Sequence, residues 1–197
     1  MIIQFLQEWR RFLALMNKSR NKVYLEWLFP IADYIDCLRH SERLFEQLIP
    51  FICSLLSTAI CILNKASTQA FSHLNNLLPN VLSILIGFTI SAISIIASTG
   101  NNLEEMINKK MNRAIGNKKI TFKQWFLINL IYYLILEIFF LLLTFAVPLL
   151  HKIVDNVWIT YVSIFLYVYL LMRILFGTIK VSTKLYQVFY KGCENKI

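Results

Sequence analysis

Hydrophobic residues in this chain form four long runs that are separated by shorter polar stretches. The most continuous run, Trp125–Val147, has 23 residues and a single charged side chain, Glu137. A helix needs about 20 apolar residues to cross the hydrocarbon core of a bilayer. The other runs are Leu44–Leu63, Pro79–Thr99 and Val157–Ile179. We therefore predict an all-α polytopic membrane protein with four transmembrane helices.

Local signals mark both ends of the third predicted span. Thr121 and Gln124 fit a capping box, in which the two side chains satisfy backbone N–H groups at the start of a helix. Pro148 follows the apolar run, and proline stops or kinks a helix because it lacks an N–H. These residues predict a helix that begins near Thr121 and ends or bends near Pro148.

The first 45 residues alternate apolar and charged positions at helical spacing. Residues 1–16 place Arg10 and Arg11 opposite an apolar face, which fits a helix lying in the membrane interface or packed on its own domain or a neighbouring subunit. Residues 21–40 predict a second amphipathic helix with an acidic face. That face is either solvated or a contact surface for a basic partner. We predict that 1–45 is a cytoplasmic or interfacial unit.

The loop 100–124 between the second and third spans is strongly basic. Asn102 and Glu105 fit a helix start, so we predict a short helix that ends near Ala114. We expect contacts with acidic lipid or a protein partner from Lys109, Lys110, Arg113, Lys118 and Lys119. Few aromatic residues accompany these charges and no nucleic-acid-binding module is recognisable, so direct nucleic-acid binding is not expected.

The placement of basic residues predicts the orientation in the membrane. Of the 20 lysines and arginines, 17 lie in residues 1–45, 101–124 and 180–197. Basic residues close to spans are retained on the cytoplasmic side. We therefore predict a transmembrane domain at 46–179, with both termini, the loop and the tail 180–197 in the cytoplasm.

Several polar residues lie inside the predicted spans. Because lipid cannot satisfy polar atoms, the face that they share in the third span should point at other helices or water. Arg173 lies within the fourth span. Either Glu137 and Arg173 meet, or Arg173 extends to the cytoplasmic surface and Glu137 bonds a neighbour. Packing and an ion, proton or ligand pathway both remain open for the set Asn129, Tyr133, Glu137, Thr144 and Arg173.

Small residues recur at helical spacing along the second predicted span. They step by four, four, three and four positions: Ser83, Gly87, Ser91, Ser94 and Ser98. Such a face lets another helix approach closely, which is how membrane helices associate without a hydrophobic driving force. The partner helix can belong to the same chain or to another copy.

Composition agrees with a membrane protein and gives no support to an enzyme. The chain is 57% hydrophobic and 16% charged, with a net charge of +9. Its four cysteines form no CxxC pair, and its three histidines lie in separate segments, so we expect no metal site or cofactor. The sequence contains no HExxH, GxSxG or glycine-rich phosphate loop, so we predict no catalytic residues.

The layout of the chain resembles a family of bacterial defence proteins. The stretch Asn80–Gly100, NVLSILIGFTISAISIIASTG, and the aromatic-rich last pair of spans are similar to KwaA, the membrane component of the Kiwa anti-phage system. The resemblance implies a homo-oligomer that senses phage attack at the inner membrane and binds a cytoplasmic effector. A sensor and scaffold subunit is thus our first hypothesis. The alternatives are a small ion channel or transporter with Glu137 in its pathway, and a membrane-disrupting effector.

Overall fold

The computed structural model describes residues 29–38, 40–98, 110–115, 118–153 and 156–194. Within these ranges the chain has five helices and two strands. In chain order they are α1 (Phe29–Cys37), α2 (His40–Leu63), α3 (Ser67–Ser98), β1 (Lys110–Ile115), β2 (Lys118–Thr121), α4 (Phe122–Ile153) and α5 (Val157–Glu194).

Four of these helices are long and apolar enough to cross a membrane. Their candidate spans are Leu44–Leu63, Ser67–Ser98, Phe122–His151 and Val157–Gln187. Large apolar side chains on their outer faces are exposed, among them Ile84 and Leu142. In a bilayer such side chains face lipid rather than water. The prediction of an all-α, multi-pass membrane protein is therefore confirmed.

Two pairs of contacting spans run in opposite directions. In the first pair, Phe51 in the middle of α2 packs on Phe165 of α5, while the earlier Phe45 packs on the later Phe176. Likewise, the Lys123 ammonium at the start of α4 donates to the Ala97 carbonyl at the end of α3, 3.4 Å away. We call the end of the bundle that holds these helix termini, together with α1 and the two strands, the hairpin end.

Three spans are longer than predicted, and the last of them extends to Gln187 rather than Ile179. The stretch 64–78 separates the first two predicted apolar runs, but only Asn64–Ala66 turn and α3 already begins at Ser67. The reason is an apolar stripe that continues upstream of Pro79, where Phe71, Leu74 and Leu78 pack into the core. Pro148 likewise lies inside α4 rather than at its end.

The prediction of a short helix ending near Ala114 is wrong for residues 110–114. These residues belong to β1, which pairs antiparallel with β2, with Ala114 opposite Lys119 and Ile115 opposite Lys118. The sequence between the strands is Gly116-Asn117, a dipeptide that favours two-residue hairpins. The cap-like pair Asn102 and Glu105 lies outside the described residues.

Several predicted contact residues are not described at side-chain level. Residues 1–28, including Arg10 and Arg11, lie outside the described ranges, as does Lys109. Of the basic set, only the Lys119 side chain is described, and it is exposed. The helix predicted at 21–40 is present where the structure describes it, as α1. The hairpin places β1 against α1 and β2 against α4.

Candidate functional site

Buried and half-buried polar and aromatic side chains converge at the hairpin end, where α1, α2, α4 and α5 meet. We call them the tyrosine cluster, and they are Tyr34, Glu46, Tyr132, Tyr133, Arg173 and Lys180. Four helices contribute to it, so the cluster exists only when those four helices are packed together.

Glu46 is the anionic centre of the cluster. Its side chain is buried, and it accepts a hydrogen bond from the Tyr34 hydroxyl and another from the Lys180 ammonium, 2.5 Å away. Lys180 also lies 3.2 Å from Glu42, one helical turn earlier in α2. A buried carboxylate is tolerated only when it is paired and hydrogen-bonded, and Glu46 meets both conditions.

Tyr34 anchors α1 to the spans. Its ring stacks on Tyr132 with centroids 3.7 Å apart, and its hydroxyl lies 3.0 Å from that of Tyr133. Burial raises the pKa of Tyr34 far above its ordinary value, and the neighbouring Tyr133 and Glu46 raise it further. The hydroxyl therefore stays protonated at neutral pH and remains a donor to Glu46.

Tyr133 fills the space above a glycine of α5. Its ring is 1% exposed, and a Cβ added at Gly177 would overlap the phenol end of that ring. Glycine is thus required at this close crossing of α4 and α5. Tyr133 was predicted to lie on the polar face of the third span, and the structure gives it the hydroxyl of Tyr34 as its partner.

Arg173 adopts neither of the two predicted arrangements. Its Nη2 donates to the Tyr132 hydroxyl at 2.5 Å, and its Nη1 donates to the Tyr169 hydroxyl at 3.5 Å. The contact with Tyr169 turns the guanidinium toward the preceding turn of α5, rather than along the chain toward the tail. No ion pair between Arg173 and Glu137 is found among the described residues.

Glu137 lies instead at the contact of α3 and α4. It is fully buried, and its Oε1 accepts a hydrogen bond from the Thr89 hydroxyl at 3.1 Å. Its Oε2 has no hydrogen-bond partner within the described part of the chain. Glu137 therefore bonds a neighbouring helix, as in the second predicted arrangement, but only one of its two oxygens is satisfied.

The other polar residues of the third span are also buried, yet they form no continuous chain with Glu137. Asn129 donates to the Trp125 carbonyl at 2.7 Å, and Thr144 donates to the Leu141 carbonyl at 2.7 Å. Both bonds stay within α4. The prediction that this face points at other helices agrees with its burial, whereas its members do not gather at one site.

The small-residue face of α3 is not covered by any other part of the described chain. All five of its residues are exposed, and a Cβ added at Gly87 would meet no atom within 4 Å. Each serine hydroxyl bonds a backbone carbonyl one turn earlier. Polar atoms of this face are thus satisfied within the helix, so the face can lie in lipid or against another helix.

The pairs at the centre of the cluster were missed in the sequence. Glu46 and Lys180 are separated by 134 residues, and no local periodicity links them. A usable signal did exist, because Glu42 and Glu46 share a helical face at the start of the first span and Lys180 follows the last one. Opposite charges at the same membrane depth on antiparallel spans favour such pairing.

Comparison with known proteins adds no evidence about function. No family model, curated protein or solved structure matches the chain. Among the residues that the structure describes, no group of three histidine, cysteine or acidic side chains is placed to hold a metal ion. Two features of the described residues are therefore candidates for function. They are the tyrosine cluster at the hairpin end and the uncovered small-residue face of α3.

Proposed function

We propose that this protein is a sensor and scaffold subunit of a bacterial defence complex, embedded in the inner membrane. In this proposal it forms a homo-oligomer through α3 and binds a cytoplasmic effector at the hairpin end. The resemblance of the chain to KwaA supports the defence role, and the basic residues around the hairpin end support its cytoplasmic orientation.

The uncovered small-residue face of α3 is the observation that carries the proposal. From Ser83 to Ser98 the face extends about 22 Å along the helix, which is most of the thickness of the hydrocarbon core. Membrane helices associate through such faces because close backbone approach increases van der Waals contact. Since no part of the described chain covers it, a second copy is the partner that we propose.

Bulky substitution on this face is expected to break the oligomer. A leucine at Gly87, tested as Gly87→Leu, would hold the backbones apart, and we expect the dissociation constant to rise at least about tenfold, which corresponds to about 1.4 kcal/mol. The measurement is the mass of the detergent-extracted assembly. Ala146→Leu is the matched control, because Ala146 is an exposed small residue on α4. A Gly87→Leu protein of unchanged mass would contradict the proposed interface.

Binding of a cytoplasmic effector has its own test. The protein would be isolated from its native membranes after mild crosslinking, with and without substitutions in the hairpin end. We expect one soluble protein to co-purify in stoichiometric amount, and Lys119→Glu to reduce its recovery because that exposed lysine lies on β2. Recovery of the membrane protein alone, in every preparation, would remove the scaffold role.

A small channel or transporter is a second candidate, and the unsatisfied Oε2 of Glu137 favours it. A mid-membrane carboxyl with an open lone pair can bind a proton or a cation during transport. This candidate predicts ion flux in liposomes that contain the purified protein alone, and loss of that flux in Glu137→Gln.

The scaffold proposal makes the opposite prediction for Glu137→Gln. The glutamine oxygen can still accept from Thr89, so we expect the free energy of unfolding to change by less than about 1 kcal/mol. Assembly mass and effector recovery should also stay at the wild-type level. Glu137→Leu, which removes the acceptor altogether, is the control that reports the cost of losing the Thr89 bond.

A further inference from the structure

The guanidinium of Arg173 is surrounded by hydroxyl groups rather than by a carboxylate. Its two described hydrogen bonds go to the oxygens of Tyr132 and Tyr169. Arginine has five N–H donors and no acceptor, and each tyrosine that accepts from it still has its own O–H to donate. After those two bonds are made, three N–H groups of Arg173 and both tyrosine O–H groups are still donors, so donors outnumber acceptors among these three side chains.

The buried and half-buried carboxylates of the described spans have other partners. Glu42 and Glu46 both lie at Lys180, which is seven residues, or about 10 Å, further along α5 than Arg173. Glu137 is buried at the α3 contact and bonds Thr89. Among the described residues, the ion pairs of Glu42 and Glu46 are with Lys180, and Arg173 has no carboxylate within salt-bridge distance.

The donor group reaches the outer surface of the bundle. Arg173 and Tyr169 are both partly exposed, whereas Tyr132 is buried. The Tyr169 ring stacks on Phe165, which in turn packs on Phe51 of α2, and Phe51 is exposed on the membrane-spanning flank. Arg173 and Tyr169 therefore lie close to the outer surface where α2 and α5 pack together. They are in the half of the membrane nearer the hairpin end.

We propose that Arg173, Tyr132 and Tyr169 form a binding site for a phosphate oxyanion. The planar fork of arginine matches two oxygens of a phosphate, and charge-assisted bonds of this kind are about twice as strong as neutral ones. The tyrosine hydroxyls supply further donors around the same group. An anionic phospholipid is the favoured source because the donors open toward lipid, whereas free phosphate offers the same chemistry from solution.

The site goes beyond the proposed function and does not depend on it. A scaffold, a channel or a simple structural subunit would each keep the same arginine and tyrosines, so failure of effector binding would leave this proposal standing. Conversely, loss of the phosphate site would leave the oligomer face of α3 unaffected.

Native mass spectrometry of the detergent-purified protein provides the test. Phosphatidylglycerol, phosphatidylcholine and inorganic phosphate would be titrated in separate arms. We expect the wild-type chain to retain phosphatidylglycerol in preference to phosphatidylcholine, and Arg173→Gln to weaken that binding roughly tenfold. If the wild-type chain bound inorganic phosphate but neither lipid, and Arg173→Gln lost that binding, the ligand would be phosphate from solution.

Conservative variants make the test independent of folding. Arg173→Lys keeps the positive charge but loses the planar guanidinium, and Tyr169→Phe loses one hydroxyl at a partly exposed position. Both proteins should fold, and both should bind phosphatidylglycerol severalfold more weakly. Lys65→Gln, at an exposed lysine between α2 and α3, is the control for general attraction of anions, and it should bind as the wild type does. Equal binding of phosphatidylglycerol by the wild type, Arg173→Gln and Tyr169→Phe would overturn the proposal, as would equal retention of the two lipids.

Discussion

Replacing Gly177 with alanine is expected to destabilise the protein by about 3 kcal/mol, although alanine is the better helix former. The new methyl group would overlap the phenol end of Tyr133, whose ring is 1% exposed and cannot swing out of the bundle. Moving that ring would also break its contact with the Tyr34 hydroxyl and disturb the edge-to-face contact with Tyr132. Overpacking and a lost buried hydrogen bond together outweigh the gain in helix propensity.

The chain offers a matched control in its other described transmembrane glycine. Nothing lies within 4 Å of a Cβ added at Gly87, so Gly87→Ala should leave stability unchanged or raise it by up to about 1 kcal/mol. Both variants would be compared by denaturant titration in the same detergent. If Gly177→Ala were as stable as Gly87→Ala, the close crossing of α4 and α5 would be wrong.

A double substitution locates the cause of the effect. Tyr133→Leu removes the ring atoms that the new methyl group would meet, at the cost of the Tyr34 contact. In that background Gly177→Ala should cost less than it does alone, because residues in direct contact give non-additive changes in stability. Additive costs would show that Gly177 acts through some other neighbour.

The membrane-spanning character of the chain could be predicted because it depends on local composition. A run such as Trp125–Val147 cannot be placed in a soluble domain without exposing a long apolar surface, whatever its neighbours are. The ends of the spans depend on tertiary packing and were predicted less well. Pro79 and Pro148 both lie inside helices. Around Pro79, Leu78 and Leu82 on either side pack into the core. Beyond Pro148, the ring of His151 packs on that of Phe71.

For the polar face of the third span, the local sequence predicts burial but not the hydrogen-bond partners on other helices. Asn129, Tyr133, Glu137 and Thr144 are all buried, as helical periodicity predicts for polar residues that avoid lipid. The partners of Tyr133 and Glu137 could not be predicted, because each is set by which helix lies opposite. Tyr133 finds Tyr34, 99 residues away, and Glu137 finds Thr89, 48 residues away.

The tyrosine cluster gives α1 a physical link to the spans, which is a requirement for any sensor that reports across the membrane. Tyr34 is the residue of α1 that bonds both the carboxylate of α2 and a tyrosine of α4. A change in the crossing of α4 and α5 would move Tyr133 and hence the position of α1. In the proposed scaffold, this is the route by which a change among the spans would reach an effector bound at the hairpin end.

Removal of the Glu46 charge tests that link, and Glu46→Gln is expected to destabilise the protein by about 3 kcal/mol. The Lys180 ammonium would lose its 2.5 Å partner and keep only the partly exposed Glu42, while Tyr34 would lose a charged acceptor. Breaking one side of a buried ion pair is costly because the remaining charge stays in a low-dielectric site. Denaturant titration in detergent gives the stability, with Glu42→Gln as the control, since its side chain is more exposed and should cost about 1 kcal/mol or less.

A thiol in α1 reports whether the loss of stability is accompanied by release of that helix. Cys37 lies one turn after Tyr34 and is 4% exposed, so it should react slowly with a water-soluble maleimide. In a background where Cys53, Cys61 and Cys193 are serine, Glu46→Gln should speed this reaction severalfold, and Tyr34→Phe should do so to a smaller extent. The double substitution of Glu46→Leu and Lys180→Leu should recover much of the lost stability, because it removes the uncompensated charge. Cys37 should nevertheless stay reactive, because the double substitution does not restore a hydrogen-bond acceptor for Tyr34. Slow labelling in all three proteins would mean that apolar packing alone holds α1, and that the cluster does not couple it to the spans.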